Sequence, residues 1–76
     1  MFRNKNLSVI ACANGWTLWQ YYTEDSLEKV EVDGYFDKIN TLCATGDIII
    51  IVAKGKETAI RSIVLDDGVV KLKQLV

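Results

Sequence analysis

The sequence predicts an all-β domain with one short helix, a small five-stranded antiparallel barrel or sandwich of SH3-like or OB-like character. Three observations predict it. Two Asx-Gly dipeptides, Asn14-Gly15 and Asp67-Gly68, each separate runs of β-forming residues. Residues 16–23 are almost all β-formers, and Ile48–Ala53 has no polar member and so needs cover on both faces. The chain has 76 residues, 50% of them hydrophobic, which is room for a single domain, 1–76.

The elements follow in order. Residues 7–12 are apolar and β-branched at Val9 and Ile10, and Asn14-Gly15 suits the two positive φ values of a type I′ turn. Residues 16–23 therefore return antiparallel to them. Alternation sets Trp16, Leu18, Gln20 and Tyr22 on one face and Thr17, Trp19, Tyr21 and Thr23 on the other. With aromatics on both faces, one face is expected to meet something beyond a one-sided core. The acidic stretch 24–33 lacks periodicity and reads as a loop with a short strand at 30–32. In 35–43, Tyr35, Phe36, Ile39, Leu42 and Cys43 fall at helical spacing, a two-turn amphipathic helix closed by Gly46. Gly46-Asp47 opens the central strand Ile48–Ala53, and Lys54-Gly55-Lys56 reads as a tight turn guarding it. Residues 57–65 set Ala59, Arg61, Ile63 and Leu65 against Ile60, Ser62 and Val64. Past Asp67-Gly68, residues 69–76 alternate Val70, Leu72, Gln74 and Val76 with Val69, Lys71, Lys73 and Leu75. Barrel closure would remove the edges of such apolar strands.

Composition excludes much chemistry. There is no histidine, so no imidazole base, shuttle or metal ligand, and Ser8, Ser26 and Ser62 have no plausible partner for nucleophilic attack. Glu24-Asp25 and Asp66-Asp67 lack calcium-loop spacing, and no glycine loop is built to cradle phosphate. The expectation is a protein that is not an enzyme and has no cofactor and no metal. Net charge is -1, and 24–47 carries seven acids against Lys29 and Lys38. The aromatics thus neighbour Glu24, Asp25, Asp33 and Asp37 rather than the cations a nucleic-acid platform needs. No apolar run approaches the ~20 residues of a membrane span. The basic start is followed too soon by Asn14 for a secretory signal. Cys12 and Cys43 lie in apolar stretches outside any C-x-x-C pair and read as reduced core cysteines.

The positions expected to form core and subunit contacts are Trp16, Trp19, Tyr21, Tyr22, Tyr35, Phe36, Ile48, Ile50 and Val52, which combine aromatic anchors with two-faced hydrophobicity. They could serve a symmetric oligomer or, alternatively, a soluble module that offers exposed aromatics to a glycan or peptide.

Asn6-Leu7-Ser8-Val9-Ile10-Ala11, Ala13-Asn14-Gly15-Trp16-Thr17-Leu18-Trp19-Gln20-Tyr21, Gly34-Tyr35-Phe36 and Gly46-Asp47-Ile48-Ile49 together resemble a group of small proteins from bacteriophage and prophage structural-gene regions. The resemblance covers the first two thirds of the chain. Gln20 stands where the common form has histidine, so no role of that imidazole carries over. The resemblance implies a virion component, a capsid decoration or cement protein or a small head or tail accessory protein. Its implied partners are itself, as a trimer, and a major capsid or other virion protein. Its implied place is the virion, with the host cytoplasm before assembly.

Overall fold

The computed structural model describes residues 2–54 and 57–74. It is mostly β, with five strands in one sheet and one short α-helix. The strands are β1 (Leu7–Ala13), β2 (Trp16–Tyr22), β3 (Ile48–Ala53), β4 (Glu57–Asp66) and β5 (Val69–Gln74), lying side by side in chain order. Gly55 and Lys56 of the expected turn, and Leu75 and Val76 of the last strand, lie outside the described residues.

Three of the four pairings are antiparallel, as the hairpin signals predict. The fourth differs: β2 and β3 run parallel, with Leu18 beside Ile48 and Tyr22 beside Val52. A parallel pair needs a long return path, and residues 23–47 supply it by crossing one face of the sheet. The molecule is therefore layered, sheet against crossover. β1 and β5 do not pair among the described residues, so the barrel is not closed.

The crossover holds the α-helix α1 (Leu27–Val30) in the stretch expected to be loop and strand. Ser26 starts it: its Oγ accepts from the Lys29 N–H, and Glu28 sits in the first turn, where the exposed N–H groups favour an acid. Val30 is fully buried, and α1 packs on β3. The helix expected over 35–43 is reduced to a 3-10 turn at Asp37–Ile39 followed by further turns. Side chains that a helix would leave in solvent are used instead to grip β5. Asp37 Oδ1 accepts from the Val70 N–H at 2.9 Å, and Asn40 Nδ2 donates to the Gly68 carbonyl at 2.9 Å. Leu42, which helical spacing puts with Ile39 and Cys43, is 65% exposed.

The two Asx-Gly turns also part ways. Asp67 and Gly68 both have positive φ, 53° and 82°, as a type I′ turn requires. At the first turn only Gly15 is positive, at 90°, so Asn14 does not adopt the expected conformation. The adjoining β1 carries a bulge between Val9 and Ala11, which changes the twist that a primed turn would otherwise match.

The core lies between sheet and crossover. Trp19 and Tyr21 of β2, Ile49, Ile51 and Ala53 of β3, Ala59 and Ile63 of β4 and Val70 of β5 face Val30, Phe36, Ile39 and Cys43. Phe2 joins them, stacked on Tyr21 with ring centroids 5.3 Å apart. The two cysteines are free and differ in placement: Cys43 is buried as expected, whereas Cys12 is exposed because β1 overhangs the core layer. Burial, with the Asp47 carboxylate nearby, pushes the Cys43 thiol above its ordinary pKa. One thiol per chain should therefore react rapidly with a disulfide reagent at neutral pH, and the second only after unfolding. Two rapid thiols would contradict this placement.

Candidate functional site

Asp47 organises the end of the sheet at which β2 and β3 begin. It is 3% exposed, and its carboxylate accepts from the Thr17 N–H (3.0 Å), the Trp19 indole N–H (3.1 Å) and the Ala44 N–H (3.1 Å). Its backbone carbonyl takes the Ile63 N–H at 2.8 Å. One side chain thus ties β2 to the end of the crossover, while its main chain holds β4. Buried carboxylates survive where each donor is aimed at them, and no buried polar side-chain atom among the described residues lacks a partner.

A second network runs through the aromatic cluster. The Arg3 N–H donates to Tyr21 Oη at 2.9 Å, and Tyr35 donates to Asp25 Oδ2 at 2.6 Å. Tyr35 spends its one proton on Asp25, so in the 3.1 Å contact between the two phenols Tyr21 is the donor. Burial, then the bond it donates to Asp25, push the Tyr35 phenol far above its ordinary value. Phe36 and Phe2 meet Tyr35 edge-on, at 5.0 and 6.2 Å. Trp19 with Asp47, and Tyr35-Phe36 with Tyr21, therefore have structural employment.

The face of the sheet away from the crossover is a different surface. Register sets Leu18, Gln20 and Tyr22 beside Ile48, Ile50 and Val52, and these beside Ser62, Ile60 and Thr58. Val64 continues the β4 row, and Lys71 and Lys73 close it on β5. Trp16, opposite Ala13, stands at the β1 side. A sheet with one face in water usually alternates hydrophobic-in with polar-out. Here the outward row of β3 is Ile48, Ile50 and Val52, each only half-buried, and Tyr22 and Ile60 are each 49% exposed. The open face is thus more apolar than a solvent-facing sheet surface usually is.

The nine predicted positions divide between the two faces. Trp19, Tyr21, Tyr35 and Phe36 belong to the core side, with Tyr35 only half-buried, while Trp16, Tyr22, Ile48, Ile50 and Val52 lie on the open face. Leu18 and Ile60 also lie on the open face, where the alternation of their strands sets them, although they are not among the nine. Phe2 and Asp47 are further functional positions outside the nine: Phe2 packs on Tyr21, and Asp47 bonds to Thr17 and Trp19, partners too far along the chain to leave a local signal.

A cleft of about 380 Å³ is lined by Arg3, Lys5, Asn6, Thr23, Glu24 and Asp25, a charge-balanced set. Among the described residues no three potential metal ligands come together, and no helix is long and apolar enough to cross a membrane. The chain matches no family model, no curated protein and no solved structure.

Proposed function

We propose that this chain is a small structural protein that works by protein–protein contact through the open face of its sheet, and that its setting is a bacteriophage virion, where it decorates or cements the capsid or serves as a head or tail accessory. The observation that carries the contact reading is the apolar outward row of Ile48, Ile50 and Val52, flanked by Leu18, Tyr22 and Ile60. Tyr22 and Trp16 supply aromatic anchors, a residue class enriched at interface centres. Lys71 and Lys73 give the patch a charged border. The virion setting comes from the sequence resemblance.

Ile50→Lys tests the reading. Lysine at this half-buried, uncovered position leaves the core untouched, so the variant should stay folded by circular dichroism. In a desolvated contact, however, the unpaired ammonium weakens binding at least ~100-fold. The wild-type chain is expected to cosediment with assembled particles and the variant to remain in the supernatant. Absence of the wild-type chain from purified virions would sink the virion setting. Tryptophan fluorescence that responds to added sugars, with no particle binding, would instead favour a glycan-binding module using Trp16 and Tyr22.

A further inference from the structure

The two edges of the sheet are protected very differently. At β5 the crossover covers the start of the edge: the Gly34 N–H donates to the Val70 carbonyl at 3.1 Å, and the Val70 N–H donates to Asp37 at 2.9 Å. Lys71 and Lys73 add charge to the same strand. Cover and lysines are common protections of a sheet edge against another chain.

β1 is neither covered nor charged, and the bulge between Val9 and Ala11 is its one irregularity. Leu7–Ala13 contains no charge and no proline, every residue from Ser8 onward is exposed, and β2 is its one strand neighbour among the described residues. Val9 is 50% exposed and Ile10 48%, although Val9 lies opposite the buried Trp19. From Ser8 onward the strand is thus exposed on both faces, and among the described residues no strand pairs with its outer side.

We propose that this edge is filled by β1 of a second copy, paired antiparallel across a two-fold axis, so that two five-stranded sheets become one. Three features select this occupant. First, β1 is neutral throughout, and offers no charge by which a foreign strand would be chosen. Second, antiparallel pairing sends Arg3 and Lys5 of each copy toward the neutral Asn14-Gly15 turn of the other, whereas a parallel pair would stack these cations together. Third, the assembly closes: once β1 is paired, the outer edges are both β5, blocked at Val70 by Gly34 and Asp37 and charged beyond it by Lys71 and Lys73, so growth stops at two copies. The axis runs perpendicular to the sheet and leaves both open faces on one side. The pairing goes beyond the proposed use of that face and stands without it.

The test combines light scattering with amide exchange. At tens of micromolar the wild-type chain is expected at twice the 8.5 kDa of one chain, with backbone amides of β1 more protected as concentration rises. Ala11→Lys and Ser8→Lys, both at exposed positions that do not threaten folding, should each weaken the dimer at least tenfold and abolish that protection. Ile50→Lys should leave the dimer intact, which separates a failure of this pairing from a failure of the open-face contact. A monomer at millimolar concentration, a trimer, a dimer indifferent to both β1 lysines, or one dispersed by Ile50→Lys would each overturn the proposal.

Discussion

Asp47→Ala is expected to cost about 3–5 kcal/mol of folding stability, since each buried donor left without its acceptor costs about 1–3 kcal/mol. Three donors lose their acceptor at once: the Thr17 N–H, the Trp19 indole and the Ala44 N–H. A domain of this size has about 4–11 kcal/mol to lose, so the variant sits close to unfolding at room temperature. Asp47→Asn should recover part of the loss, because its carbonyl oxygen still accepts while its amide turns a donor toward a donor. Urea unfolding followed by tryptophan fluorescence reads both. A loss below about 1 kcal/mol for the alanine variant would show that the carboxylate is not the tie between β2 and the crossover.

Phe36→Ala should be comparably severe, about 3–5 kcal/mol, the usual range for deleting a buried ring. Phe36 is 1% exposed and lies edge-on to Tyr35 at 5.0 Å, Tyr21 at 5.1 Å and Phe2 at 5.4 Å. Removing it leaves three rings facing a void, and two of them, Tyr21 and Tyr35, are held in place by hydroxyl bonds that oppose collapse into it. Phe36→Leu, which refills most of the volume, should restore more than half of the stability. The same unfolding curves decide it: equal midpoints for wild type and Phe36→Ala would remove the cluster from the core.

What could be read from the chain was whatever depends on near neighbours. Ile48–Ala53 is a strand with the predicted bounds, and the alternation of β2 sorts Trp19 and Tyr21 from Leu18 and Tyr22 as expected. The Asp67-Gly68 turn has the positive φ pair its residues favour. Pairing direction was not legible, because a period of two looks the same in parallel and antiparallel strands, and only the path of 23–47 decides it. The helix moved from 35–43 to Leu27–Val30 for a similar reason: Asp37 and Asn40 bond to β5, a partner some thirty residues away, while Ser26 caps locally. For the open face, alternation identified the residues, but which face the crossover would leave bare required the fold. Cys12 was misplaced because an apolar strand reads as buried whether or not a second layer reaches it.

The parallel pairing of β2 with β3 also sets an order of events during synthesis. The β1–β2 hairpin, which carries no charge over 7–23, leaves the ribosome long before its neighbour exists, since Tyr22 must wait thirty residues for Val52. At about 5–20 residues per second that wait lasts roughly 2–6 s. Throughout it Trp19 and Tyr21 have no sheet to join and Asp47 is not yet made for most of the interval, so the nascent chain presents a sticky, uncharged ribbon to the cell. β3, β4 and β5 are contiguous and can assemble as a unit once made, with the older hairpin docking onto them last. The time before docking is therefore when this chain exposes its apolar strands most fully.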